Sequence, residues 1–365
     1  MKYYKLQELC IDIIDCPHST PNWKNEGIRV IRNFNLKDGN IDFTDGYFVD
    51  EATYIERTKR AVPEEGDIII SREAPMGVVG IVPKGLKCCL GQRLVLLKVN
   101  KQKCDPFYLL NTLMSDFVQT QFRRADATGS IVSNLCIPDL KEIIIPVIEH
   151  GQREVASFFE MINRKRTINN MINDNLEQQM HLIFENMMAK AATHKLSGKY
   201  TIAQNLATVV TGKEDANFSV PNGKYKFFTC SNTPLSCDEY AFDASSILIA
   251  GNGDFNVKHY SGKFNAYQRT YVLTPDKKYF GLLYLASLYR INSFKSRSSG
   301  SIVKFITKSD VENIPVFIPN DRFYLQELNK LIYLQEQNKL ENELLVNLRD
   351  WLLPMLMNGQ ATISD

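Results

Sequence analysis

Two Gln-Arg pairs, Gln92-Arg93 and Gln268-Arg269, and two copies of the tetrapeptide GSIV, at 129–132 and 300–303, hold the most specific chemistry in this chain. Glutamine can pair bidentately with adenine and arginine with guanine, so a Gln-Arg step is able to read base edges. At the head of a strand the same pair would serve equally as structure, and both readings stand. Cations gather beside the tetrapeptides: Arg123 and Arg124 precede the first, and Lys295 and Arg297 the second, within SFKSRSSGSIV. A Ser/Gly loop carrying cations suits phosphate contact, with Ser130 and Ser301 as hydroxyl donors. An ordinary solvated loop would have the same composition. Lys258 is a further candidate cation in the second half.

Other chemistry is conspicuous by its missing parts. Thr211-Gly212-Lys213 lacks the earlier glycine of a phosphate-binding loop, and Gly251-Asn252-Gly253 lacks the third glycine of a dinucleotide fingerprint. No HExxH or GxSxG occurs, and the five histidines do not sit at metal-ligand spacing. The eight cysteines show no CxxC, so neither zinc nor a disulfide framework is expected, and free buried thiols are. Pro138-Asp139-Leu140-Lys141 resembles a nuclease carboxylate and lysine, but its copy, Ser309-Asp310-Val311-Glu312, has no lysine. Asp139 and Asp310 are read as turn or cap residues. The expectation is a chain with no catalytic residue and no metal site.

The elements that must position these residues repeat as well. The offset between matching segments falls from 176 at the Gln-Arg pairs to 171 at GSIV, as in a diverged duplication with a small insertion. Each half alternates short β-rich runs with turns and then a helix, which predicts two similar α+β globules at 1–148 and 193–319. Each is followed by a long helix, at 149–192 and 320–365. Val155, Ile162, Asn169, Leu176 and Ile183 are spaced by seven, as are Tyr324, Leu331, Asn338, Leu345 and Leu352. Seven-residue spacing predicts a coiled coil, and an antiparallel pairing with Asn169 beside Asn338 matches apolar with apolar in every other layer. The asparagines would then fix the register around a pseudo-two-fold axis; two solvent-facing asparagines on a loosely periodic helix are the other reading. Helices of about 35 to 40 residues span on the order of 50 to 60 Å.

Charge is uneven. The first globule carries 19 Lys/Arg against 19 Asp/Glu, the second 15 against 9, within a net charge of +2 over 365 residues. A basic second globule suits a polyanionic partner. No run approaches a membrane span and the N-terminal stretch lacks the pattern of a signal peptide, so the expectation is a cytoplasmic protein without a membrane.

Taken in order, these residues resemble the specificity (S) subunits of type I restriction-modification systems. The resemblance rests on the globule-helix-globule-helix order, on Gly66 to Arg72, on ATGSIVSNLCIPDLKEIIIPV, on Glu149 to Ala156 (EHGQREVA) and on Leu352 to Gln360 (LLPMLMNGQ). It implies a non-catalytic subunit whose two target-recognition domains each read half of a split sequence in double-stranded DNA, with Arg72 at the strand-to-loop junction added to the contact residues. The helices would set the unread gap. Two methylation subunits would dock on the chain and restriction subunits join through the complex, and S-adenosylmethionine, ATP and magnesium would belong to those partners. The second copy reads Ala250-Gly251-Asn252-Gly253 where the first reads Ser71-Arg72-Glu73-Ala74, so matching residues need not do matching work. A two-domain scaffold without DNA binding, or a nuclease or methyltransferase in its own right, are the competing classes; the latter's glycine-rich and Asn/Asp-Pro-Pro-aromatic motifs are absent.

Overall fold

The computed structural model describes residues 1–73, 75–126, 134–221, 223–253, 255–297, 305–357 and 361, with side chains for all of these but 126, 294–297 and 357. Both GSIV copies, with Ser130 and Ser301, lie outside them, as do the side chains of Lys295 and Arg297. The chain forms two compact units, Met1–Ile168 with Asn342–Asp365, and Asn169–Glu341.

The strands of the first unit are β1 (Lys2–Lys5), β2 (Cys10–Asp15), β3 (Ile28–Ile31), β4 (Leu36–Lys37), β5 (Asn40–Ile41), β6 (Tyr47–Val49), β7 (Ile68–Ser71), β8 (Val79–Ile81), β9 (Cys88–Leu90), β10 (Leu94–Val99) and β11 (Ile144–Val147). Helices α1 (Leu6–Leu9), α2 (Glu51–Arg57), α3 (Pro106–Met114), α4 (Asp116–Asp126) and α5 (Ile137–Glu142) lie between them, and the long α6 (Gln152–Ala192) begins here. One sheet runs β2-β10-β7-β8, a second β6-β3-β9, and β1 pairs with β11. Ile68, Ile69 and Ile70 are all fully buried because the sheet is covered on both faces. Ile68 and Ile70 join Val95, Leu97, Val155 and Phe159 on one side, while Ile69 joins Leu94, Leu96, Ile31 and Leu90 on the other. Sequence spacing predicts one helix from Pro106 to Arg124; the chain instead breaks at Ser115, which is extended and donates its hydroxyl to Thr112 O at 2.6 Å. Phe117 is thereby left exposed rather than facing the core.

The second unit repeats the plan with β12 (Gly198–Ile202), β13 (Ala207–Thr211), β14 (Tyr225–Phe228), β15 (Leu235–Cys237), β16 (Phe242–Ala250), β17 (Val257–Ala266), β18 (Thr270–Pro275) and β19 (Pro315–Pro319), with α7 (Phe280–Arg297), α8 (Lys308–Glu312) and the start of α9 (Arg322–Met357). Here a single sheet runs β13-β18-β16-β17-β14-β15. The ten-residue β17 does the work that β8 and β9 share in the first unit, where the turn at Pro83 and the left-handed Gly85 interrupts the strand. Ile247, Ile249 and Leu273 face the helices and Leu248 and Val272 the opposite layer, again with period two. Asp310 accepts from Thr307 N at 2.9 Å in a capping box at the start of α8, the cap role read from its position.

Within the first unit Val155 and Ile162 of α6 share a hydrophobic cluster with Leu345 and Leu352 of α9. Within the second, Leu176 and Ile183 share one with Leu331 and Tyr324. Between these apolar stretches the buried residues turn polar. Asn169 is fully buried and donates to Glu341 Oε2 at 2.7 Å, Asn338 donates to Asn173 Oδ1 at 2.9 Å, and Gln335 donates to Asn173 O at 2.9 Å. The polar layer is therefore wider than a single Asn169–Asn338 pair, since Asn338 finds its acceptor one turn along.

Helix α9 is tied to β17 by a second polar group. His259 Nδ1 lies 3.1 Å from Glu336 Oε1, and Ser261 Oγ donates to both Glu336 oxygens at 2.9 and 3.0 Å. Burial holds His259 below its ordinary value of 6.5 even against the pull of Glu336. Burial also opposes charge on Glu336, but the hydrogen bonds from His259 and Ser261 keep it below its ordinary 4.5. Below pH 6.5 the unfolded chain takes up a proton at this histidine that the folded chain resists, so the second unit is expected to lose stability as pH falls through that value. Thermal unfolding of His259→Gln against wild type between about pH 7 and 5 checks this: the variant should show the flatter pH dependence, and equal slopes would remove His259 from the account.

Candidate nucleic-acid interface

In the first unit Asp15 pairs with Val95, Leu94 with Ser71 and Ile31 with Leu90. Strands β2, β3, β7 and β9 therefore finish, and β10 starts, at one common end, and residues 16–27, 32–35, 72–73, 75–78 and 91–93 gather there. The turn holding Gln92 and Arg93 is stitched into this end. Gly91 N donates to Ile31 O at 2.7 Å, Arg72 N donates to Arg93 O at 2.8 Å, and Leu135 N donates to Arg72 O at 3.0 Å. The last bond brings the chain that follows the first GSIV copy in sequence to the same place. Helix α4 completes the rim: Gln119 Nε2 donates to Gly77 O at 3.0 Å, so the turn bearing Arg123 and Arg124 lies against the 75–77 turn.

The second unit carries the same stitches. Tyr267 N donates to Phe228 O at 2.9 Å, Gly251 N to Arg269 O at 2.8 Å, and Ile306 N to Gly251 O at 2.8 Å. Arg72 and Gly251 thus occupy one framework position, Leu135 and Ile306 another, and each GSIV leads into its Leu135 or Ile306 by the same number of residues. Gly212 shows how tightly the second turn is held. Its N–H donates to Thr270 O at 3.0 Å, and a Cβ there would collide with the carbonyls of Ala266 and Tyr267. Gly212→Ala is expected to displace the Gln268-Arg269 turn and to destabilise the second unit by about 2 kcal/mol or more, read by thermal unfolding.

Of the residues singled out from the sequence, Arg93, Arg123 and Arg124 are exposed at the stitched end of the first unit, and Gln268 and Arg269 at that of the second. Arg93 adopts a left-handed backbone (φ 66°) and its Nε lies 3.1 Å from Glu73 Oε2. Arg123 pairs with Asp116 at 2.7 Å. Gln92 is half-buried and donates to His18 O. Two of these residues, Arg72 and Lys258, are engaged within the chain. Arg72 is largely buried and its donors are taken up by Asp15 at 2.9 and 3.0 Å, by Leu135 O at 3.0 Å and by Asn134 Oδ1 at 3.3 Å, which makes it the anchor of the chain at residues 134–135. In the second unit Tyr271, whose hydroxyl donates to Ile306 O at 2.8 Å, does that work in its place. Lys258 donates to Thr229 O at 3.3 Å and to Ser231 O, and burial lowers its pKa below the ordinary lysine value, so it braces the 229–231 loop.

Two groups at this end were missed from the sequence. Arg57, almost fully buried, donates to Leu90 O at 2.8 and 3.0 Å, to Ser19 O at 2.9 Å and to Pro17 O at 3.3 Å, so it clamps the 16–27 loop to the end of β9. Nothing in the local pattern marks it, because its acceptors are backbone carbonyls. The second is an exposed cluster in which Arg32 lies 5.8 Å from the ring centre of Trp23, 5.3 Å from Phe34 and 4.8 Å from Tyr47. Its signal was available, since residues 23 to 48 interleave arginines with aromatic residues. Among the described residues no group of three or more His, Cys, Asp or Glu side chains could hold a metal ion, and no helix is long and apolar enough to cross a membrane.

Comparison with known proteins adds a decisive observation. Residues 1–178 and 199–347 match the family described as type I restriction modification DNA specificity domain. This chain belongs to that family. Its match in two segments falls on the two copies of the repeat, as expected of a specificity-domain protein in which the domain occurs twice. The specificity subunit of the type I restriction enzyme EcoDI of Escherichia coli is 37% identical over 164 residues, which cover 43% of this chain and 37% of that subunit. A putative specificity subunit of the MjaX enzyme of Methanocaldococcus jannaschii is 29% identical over 131 residues, covering 36% of this chain and 28% of that one. Both alignments thus reach well under half the length of these curated relatives. The crystal structure of a type I restriction-modification S subunit from M. genitalium superimposes with a TM-score of 0.56 at 17% identity, over all of this chain and 96% of the other, which shows a shared specificity-subunit fold.

Proposed function

We propose that this chain is the non-catalytic, sequence-specific DNA-binding subunit of a type I restriction-modification complex, with each globule reading one half of a bipartite duplex target through the loops at its stitched sheet end. The observation that carries this reading is the same set of main-chain hydrogen bonds around both Gln-Arg turns, with exposed arginines at each, in a chain of the DNA specificity family. Arginine and glutamine at a rigid rim can reach base edges, while Arg123 and Arg124 suit phosphates. Helices α6 and α9 form an antiparallel coiled-coil spacer whose length sets the unread gap; shared clusters of Val155 and Ile162 with Leu345 and Leu352, and of Leu176 and Ile183 with Tyr324 and Leu331, support that pairing. Methylation and restriction subunits supply the chemistry and bind S-adenosylmethionine, ATP and magnesium, in the cytoplasm.

The test is selection from a random duplex library by the intact chain, alone and with its methylation subunits. Two short conserved blocks separated by an unconserved gap are the expected result. Binding without any enriched sequence, or no binding in either form, would favour the scaffold reading and overturn this one.

A further inference from the structure

The two stitched ends share a framework but differ sharply at the residue that follows Ile31 in one unit and Phe228 in the other. These two carbonyls accept the equivalent bonds from Gly91 and Tyr267, so Arg32 and Thr229 stand at one position. Strand pairing matches the neighbours too: Val30 opposes Tyr47, and Phe227 opposes Leu235. The first unit therefore places Arg32 and Tyr47 where the second places Thr229 and Leu235. Among the described residues only the first copy has an arginine–aromatic cluster there.

Arg32 sits among three rings that are themselves packed together, with Trp23 and Tyr47 centroids 4.6 Å apart and Phe34 and Tyr47 6.0 Å apart. Trp23, Phe34 and Tyr47 remain 37%, 38% and 37% exposed, a large aromatic area to leave in water at a loop rim. Rings stacked on a guanidinium hold its plane and remove rotamer freedom while leaving its in-plane N–H edge available. Among the described residues no carboxylate or carbonyl accepts from that guanidinium, in contrast to Arg57, Arg72, Arg93 and Arg123, each of which has partners in the chain. Its stem also lies beside the Gln-Arg turn, since a Cβ added at Gly91 would stand 3.0 Å from Arg32 Cγ. A fork of donors flanked by rings, without an acceptor among the described residues and next to Gln92, is the arrangement that pairs with O6 and N7 of guanine.

Resting on the proposed DNA-binding function, we propose that Arg32 is a specificity-determining residue that reads a guanine in the half-site of the first globule, oriented by Trp23, Phe34 and Tyr47. The second globule has no counterpart and makes no such contact at Thr229.

The experiment compares wild type, Arg32→Ala and Arg32→Lys as full chains with their methylation subunits, by selection from a random duplex library and by binding to the selected duplex with single base-pair changes. Lysine keeps the charge and the stem but loses the fork, and it guards against a misfolded alanine variant. Discrimination at one or two adjacent G·C positions in one half of the target should fall by roughly 5- to 150-fold in both variants, with the other half retained. The salt dependence of binding should be the same for Arg32→Lys as for wild type. Unchanged discrimination, or an even loss at all positions that lysine restores, would show a phosphate or purely structural role and overturn the inference. A wild-type complex that enriches no sequence would bring down the functional reading and this inference together, whereas an enriched motif indifferent to Arg32 would bring down the inference alone.

Discussion

Inserting one heptad into each long helix, after Ile168 in α6 and after Glu341 in α9, is expected to lengthen the unread centre of the DNA target by about three base pairs. Both sites fall at the division between the compact units, so neither hydrophobic cluster is cut. Seven residues add about 10.5 Å of helix, and a base pair advances about 3.4 Å. The heptad turns the protein by only about 20°, whereas three base pairs turn the duplex by roughly a third of a turn, so affinity should fall even as the preferred spacing grows. Insertion of five residues in both helices is the contrasting case, because a rotation of about 140° puts the apolar seam of each helix on one side of the insertion out of line with its seam on the other. That variant should lose bipartite selection altogether. Library selection reads both outcomes, and a heptad variant that keeps the original gap would refute the spacer role.

Truncation of Arg57 to alanine is expected to destabilise the first unit and to loosen one loop of its candidate interface. Three main-chain carbonyls, at Pro17, Ser19 and Leu90, lose a charged donor in a site that is 8% exposed. Hydrogen bonds to charged groups contribute about 1.5 to 3 kcal/mol, and a cavity of about 260 Å³ lined by Asp15, Pro17, Arg57 and Leu90 lets water replace some of them. A loss of about 2 to 4 kcal/mol follows, seen as a lowered unfolding midpoint in denaturant with an unchanged slope. The functional consequence should be local. The 16–27 loop carries His18, whose carbonyl holds Gln92, and Trp23 of the arginine cluster. Selection by Arg57→Ala should blur one half of the target and leave the other sharp, and Arg57→Lys should fall between, since it keeps the charge without the fork. Stability equal to wild type would contradict the clamp.

The duplication was legible from the order of its matching segments, the globules from short β-rich runs between turn signals, and the long helices from the seven-residue spacing of Val155 to Ile183. The division of Ile68 to Ile70 between two faces was not, since three consecutive isoleucines carry no alternation. Asp310 as a cap was legible, its bonds being made within three residues. The break at Ser115 was not, since a helix that continues and one that bends differ only in what the next turn packs against. The candidate interface divides along the same line. Sequence pointed to the Gln-Arg turns and their neighbouring cations as the chemistry-bearing positions. It could not tell Arg72 and Lys258 from Arg93 and Arg269, since a cation's role depends on whether acceptors distant in the chain, Asp15 and Leu135 for one and Thr229 and Ser231 for the other, are brought within hydrogen-bond reach. Only the fold decides that, and by the same means it set Arg32 among three rings, without an acceptor among the described residues, and left Thr229 in its place in the second copy.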